Sequence, residues 1–153
     1  MVIQNPFMKY TLLVLVAIGI MVSCSKDKFQ SAPQLTFKKS SSDFIPVGAD
    51  LSFTIGFTDA EGDITGNVRV QKISSSCGNA GYIDSNKFVL PSFPATKNQK
   101  GDILISMSYA IDLKPIRCSA IDSVETAVFK FWIRDGAGNY SDTAVSGPII
   151  IQK

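Results

Sequence analysis

The sequence predicts an all-β fold: seven short antiparallel strands in a two-sheet sandwich over residues 34–153, behind an apolar leader. Three observations predict it. From Gln34 onward, apolar residues recur with a period of two, the spacing at which strand side chains share a face. Nowhere in that region does a 3.6-residue helical period persist. The alternating runs are also separated by clusters of Gly, Asp, Asn, Ser and Pro, the residues that make turns. Antiparallel sheets tolerate one buried and one wet face, and several such short strands stack as a sandwich. A small closed barrel would bury most of the same residues and stays open as an alternative.

Taken in order, the first element is "MKYTLLVLVAIGIMVS", residues 8–23. It has one cation, Lys9, an apolar stretch over 12–22 and a small residue at its end, the pattern of a secretory signal peptide. Those eleven residues rise about 16 Å as a helix, short of the roughly 30 Å of a hydrocarbon core. A short anchor or a buried helix is the alternative, but the polar flank begins at once. Met21-Val22-Ser23-Cys24 resembles the lipobox of bacterial lipoproteins, with Met21 where leucine is usual. That resemblance implies cleavage after Ser23, acyl chains on Cys24 and attachment to a bacterial cell envelope, at the outer membrane. Each buried methylene contributes about 0.8 kcal/mol to such an anchor. Residues 24–33, "CSKDKFQSAP", are polar and end in proline, so they read as a lipidated tether. "SKDK" resembles the charged tether of surface-exposed lipoproteins in some Gram-negative bacteria.

Residues 1–23 carry one of the 15 Lys and Arg and none of the 13 Asp and Glu, so the remaining chain has a net charge of +1. That balance argues against nucleic acid as a partner. With Cys24 assigned to lipid, Cys77 and Cys118 remain, one natural pair for an oxidising compartment. A bridge between them would close a loop of about 40 residues, worth roughly 4 kcal/mol in the chain-entropy model; two free buried thiols are the alternative. The chain has no histidine, which removes Ser-His-Asp and Cys-His catalysis and His-ligated zinc together. No catalytic residue is predicted, and the protein is not expected to be an enzyme.

The strands follow. Residues 34–39 are the first, and "DLSFTIGFTD" (50–59) the clearest: Leu51, Phe53, Ile55 and Phe57 face one way, Ser52, Thr54, Gly56 and Thr58 the other. Residues 68–74 and 87–90 are weaker. "DILISMSYAI" (102–111) sets Ile103, Ile105, Met107, Tyr109 and Ile111 on one face. "TAVFKFWIRD" (126–135) turns Ala127, Phe129, Phe131 and Ile133 inward and Lys130, Trp132 and Arg134 outward; residues 146–152 close the set. The whole span resembles immunoglobulin-like and cadherin-like extracellular modules. In such a sandwich the connections after the second, fourth and sixth strands share one end. Cys77 and Cys118 then fall together at the other end, as a disulfide requires.

At the first end lie two acidic loops. "FTDAEGDITG" offers Asp59, Glu61 and Asp63, and "RDGAGNYSDT" offers Asp135, Asn139 and Asp142. Calcium takes six to eight oxygens from carboxylates, amides and carbonyls on a pliant backbone. The loops resemble the Asp-rich calcium loops of cadherin-like modules, with Glu61 where Asp or Asn is common. The same residues are ordinary turn formers, and Lys97 or Lys100 in "LPSFPATKNQKG" could neutralise them instead. An outward Trp132 could stack on a sugar or anchor a protein, or simply be covered by a neighbour. The expected role is a lipid-anchored binding or structural module, calcium-stiffened, with a protein or glycan partner and the membrane reached through its lipid. An accessory subunit of an envelope complex is the runner-up, and a carboxylate-based glycan hydrolase the third reading.

Overall fold

Alternation of apolar and polar side chains closes this chain into two facing sheets. The computed structural model describes residues 30–75, 82–92, 94–115 and 123–153. Its strands are β1 (Gln34–Ser40), β2 (Phe44–Ile45), β3 (Leu51–Asp59), β4 (Asn67–Ser74), β5 (Tyr82–Val89), β6 (Gln99–Met107), β7 (Val124–Ile133), β8 (Ala144–Val145) and β9 (Ile149–Gln152). One sheet has the order β1-β3-β6; the other runs β2-β9-β7-β4-β5, with β8 also on β7. Cys24, Cys77 and Cys118, with the leader and most of the tether, lie outside the described residues.

The core is where the two alternations meet. Leu51, Phe53 and Ile55 from β3 are fully buried against Phe129, Phe131 and Ile133 from β7. The Phe53 ring sits 4.9 Å from Phe129 and 5.0 Å from Phe131, tilted or edge-on, as aromatic quadrupoles prefer. Each such side chain contributes about 1.5–3 kcal/mol of burial. Their neighbours in sequence, Ser52, Thr54, Lys130 and Trp132, are only half-buried on the outer faces.

Each of the seven predicted strands has a counterpart, and two further two-residue strands, β2 and β8, are too short for alternation to reveal. The set is not wholly antiparallel: β2 pairs with β9 in parallel. β5 begins earlier than expected, because "DSN" at its centre (84–86) hides the strand period. The strand expected over 102–111 instead ends at Met107. There the Asp112 carboxylate accepts hydrogen bonds from the Ser108 backbone N–H (2.8 Å) and hydroxyl (3.1 Å). This local bonding competes with the ladder and turns the chain through one π-helical turn, Tyr109–Leu113. Ile111 is therefore exposed, and Leu113 takes the buried place. The last predicted strand, 146–152, starts only at Ile149, since Pro148 has no N–H for a ladder.

One polar pair enters the interior. Lys72 and Glu125 hold inward positions on β4 and β7, are almost completely buried, and form an ion pair at 3.2 Å. The Lys72 ammonium also donates to the carbonyls of Leu113 and Lys114, which pins the π-turn to the second sheet.

Register fixes which loops meet. Asp59 pairs with Gln99, Asn67 with Val89, and Val68 with Ile133. The loops over 60–66, 90–98 and 134–143 therefore share one end of the sandwich.

Candidate metal centre

The loop after β3 is folded by its own acids. Asp59, the last residue of the strand, is fully buried, and its Oδ2 accepts the Asp63 backbone N–H at 3.0 Å. Between them Gly62 has φ +68° and packs so closely on the β5–β6 loop that a Cβ there would lie 2.0 Å from the Thr96 carbonyl oxygen. Only glycine meets both conditions. Asp63 then bridges to the β7–β8 loop: its Oδ2 accepts the Ala137 N–H at 2.9 Å and its carbonyl the Gly136 N–H at 3.0 Å. On that loop, nearly buried Asp135 accepts the Asn139 backbone N–H (2.6 Å) and side-chain amide (2.8 Å).

Two loops distant in sequence thus bring Asp59, Asp63 and Asp135 together, with one oxygen from each within 4.8 Å of the others. Two of the oxygens in this group have no donor. Asp59 Oδ1 and Asp63 Oδ1 are buried and make no hydrogen bond. Buried oxygens are nearly always paired, so two orphans in one cluster need a physical account. Burial pushes the Asp59 carboxyl above its ordinary value of 3.8; amides of Asp63 and Gly62 pull it down, and the charges of Asp63 and Glu61 push it up again. No lysine or arginine offsets the three acids: the salt bridges among the described residues are Lys38–Asp102 and Lys72–Glu125. Lys97 and Lys100 are exposed, so neutralisation by those lysines is not what the structure has.

Of the six ligands expected from sequence, these three converge. Glu61 is exposed and outside the group. Asn139 orients Asp135. Asp142 does another job: its Oδ1 accepts the Leu35 N–H at 2.6 Å and ties β1 to the β7–β8 loop. One residue escaped the sequence reading. Gln99 stands directly across from Asp59 on β6, and its side-chain oxygen is also buried without a donor. Nothing in "TKNQKG" marks it, because only the register places it there. Trp132 is half-buried on the outer face of β7, opposite Arg69.

Chemically, three close carboxylates, two of them with an unpaired oxygen, suit a hard cation that takes oxygen ligands. A mono- or disaccharide cannot be seated between them, since Asp59 is sealed from solvent.

No protein-family model matches the sequence, and no curated protein does. Among solved structures, the chain is similar to the sporulation control protein Spo0M from Bacillus subtilis, at 10% identity and a TM-score of 0.47. It is also similar to the Pseudomonas fluorescens alkylpurine DNA glycosylase AlkC bound to DNA with an abasic-site analog, at 12% identity and a TM-score of 0.45. The matches cover 81% and 90% of this chain but 51% and 34% of theirs, so the chain spans about half of the first and a third of the second. Likenesses this loose carry no argument about function.

Proposed function

We propose that the protein is a lipid-anchored cell-envelope module that binds rather than catalyses, its body an immunoglobulin-like sandwich stiffened by calcium at Asp59, Asp63 and Asp135. The observation that carries it is the pair of orphaned oxygens in a cluster of three acids. Calcium would take one oxygen from each acid, with the Gln99 side chain, carbonyls or water completing six to eight ligands. The immunoglobulin-like reading is supported by the strand order. β1-β3-β6 facing β9-β7-β4 corresponds to strands A, B, E facing G, F, C, with β5 added on the second side.

The anchor reading rests on Met21 to Cys24, and the fold gives an ion here a mechanical use. The Gln30 carbonyl accepts the Ala60 N–H at 3.1 Å, so the tether leaves the domain beside the acidic loops. A cation holding those loops together would stiffen the point where the anchor pulls. A Cys77–Cys118 bridge belongs to the same reading: the β4 and β7 ends that lead toward those segments are joined by the Ser75 N–H on the Thr126 carbonyl, at 2.9 Å.

Thermal melting in calcium and in chelator tests the site. A rise in Tm with calcium supports it, and identical curves in both remove it. Replacing Cys24 by Ser tests the anchor, which fails if the variant still sediments with membranes. A second reading, an accessory subunit of an envelope complex, is favoured by the groove between the free edges of β5 and β6, where Val89 and Leu104 are exposed. Co-purification of a stoichiometric partner from solubilised membranes would separate the two.

A further inference from the structure

The outer face of the larger sheet carries a cluster of cations beside a tryptophan. Lys87 on β5, Arg69 on β4 and Trp132 on β7 stand directly opposite one another across three strands. Two like charges facing each other on a sheet repel and weaken it. Among the described side chains, none of the outward positions of β4, β7 and residues 85–89 of β5 is Asp or Glu, so no carboxylate within those strands offsets them. Arg134, just past β7, adds a third cation. Its Nε donates to the Gly138 carbonyl at 3.0 Å and its guanidinium lies 5.3 Å over the Tyr140 ring. Gly138 has no side chain to obstruct it, and a Cβ there would come within 3.0 Å of the guanidinium. The guanidinium is thus held in place before any ligand arrives.

These three cations and Tyr140 line one open pocket of about 520 Å³. Asp135 also borders it, its carboxylate held by the Asn139 backbone N–H and side-chain amide, so the cations outnumber the acids around the pocket three to one. Tyr140 is shared with a neighbouring depression lined by Trp132, Lys130 and Gln71. Side by side, then, are an open cationic pocket and a partly exposed aromatic surface.

We propose that this face binds an acidic saccharide, its carboxylate or sulfate held by Arg69, Lys87 and Arg134 and a sugar ring lying against Trp132 and Tyr140. This rests on the reading of the protein as a binding module and names its ligand class. A sugar bearing an acid uses both halves of the surface: the anion meets the guanidinium forks, and the apolar ring face meets the aromatics. A nucleic acid is disfavoured, because the cations form one compact group at one end of the sheet and the chain's net charge is only +2.

The test is titration of the whole protein, in detergent, with an oligogalacturonate and a sulfated chondroitin hexasaccharide. A neutral maltotetraose and a single-stranded oligonucleotide serve as the other arms. Either acidic sugar is expected to bind at least tenfold more tightly than the neutral one and to weaken as salt rises. The double variant Arg69→Gln/Lys87→Gln should lose at least tenfold in affinity with its Tm unchanged or raised, which separates lost binding from lost folding. Trp132→Ala should weaken binding without altering the salt dependence. Absence of binding to both acidic sugars at millimolar concentration, affinity untouched by the double variant, or tighter binding of the oligonucleotide would each overturn the proposal. The calcium response of Tm, read on the same samples, shows separately whether the calcium-stiffened part of the proposed function stands when the ligand class does not.

Discussion

Replacing Asp59 by Asn should stabilise the protein in chelator and lose most or all of that advantage in calcium. The group's oxygens lie within 4.8 Å of one another, and two unit charges at that distance repel by about 3.5 kcal/mol at an effective dielectric near 20. Asp59 takes part in two such pairs, a repulsion of about 7 kcal/mol if every group stays charged. Protonation caps that cost. Neutralising a carboxyl of ordinary value 3.8 at pH 7.5 takes about 5 kcal/mol at 1.36 kcal/mol per unit, so the strain cannot exceed this. Asparagine keeps an oxygen to accept the Asp63 N–H and sheds the charge, so in chelator the variant should gain about 1–3 kcal/mol. In calcium at a hundred times its Kd the wild type gains about 2.7 kcal/mol that the variant largely forgoes. Urea unfolding of both proteins, with chelator and with calcium, gives the four free energies. If Asp59→Asn destabilises equally under both conditions, Asp59 is a turn residue and the cation reading is wrong.

Further outcomes follow from other parts of the fold. Glu125→Leu alone should cost about 3–5 kcal/mol by leaving the Lys72 charge buried, while Lys72→Met/Glu125→Leu should be near neutral; chemical denaturation of both variants checks it. Gly62→Ala should lose about 4 kcal/mol or more, since the new Cβ meets the Thr96 backbone. Gly66→Ala, at φ +88° in open space, should lose only about 1–2 kcal/mol, measured the same way. The raised Asp59 pKa sets a pH dependence in metal-free buffer. Its folded state holds the proton more tightly than the unfolded chain, so its contribution is full below 3.8 and is lost as pH rises through the folded value. The stability of wild type relative to Asp59→Asn should therefore fall as pH rises through that window, and a flat difference would contradict the assignment.

Much of the sandwich is written in single strands. Leu51, Phe53 and Ile55, and Phe129, Phe131 and Ile133, announce a buried face without knowledge of partners. The same parity, carried on from Val68 and Val70, puts Lys72 inside, yet a lysine there reads as solvated until Glu125 is seen across from it. The end of β6 was hidden because Asp112 acts on Ser108 through local bonds that no hydrophobic pattern registers. Half of the acidic cluster was legible, since alternating acids beside glycines mark a loop that can turn its oxygens inward. Which acids turn inward was not. Asp142 goes to the Leu35 amide, Asn139 to Asp135 and Glu61 to solvent, and these choices depend on contacts between loops far apart in sequence. Gln99 and the Lys87–Arg69–Trp132 row are invisible for the same reason, because both exist only once the register between strands is set.

The most direct measurement is the stoichiometry of calcium bound to the whole protein, by equilibrium dialysis or titration calorimetry. One ion per chain is expected, lost in Asp63→Asn and in Asp135→Asn but retained in Glu61→Gln. Absence of binding at millimolar calcium, or an ion that survives both aspartate substitutions, would contradict a cation centre between these loops.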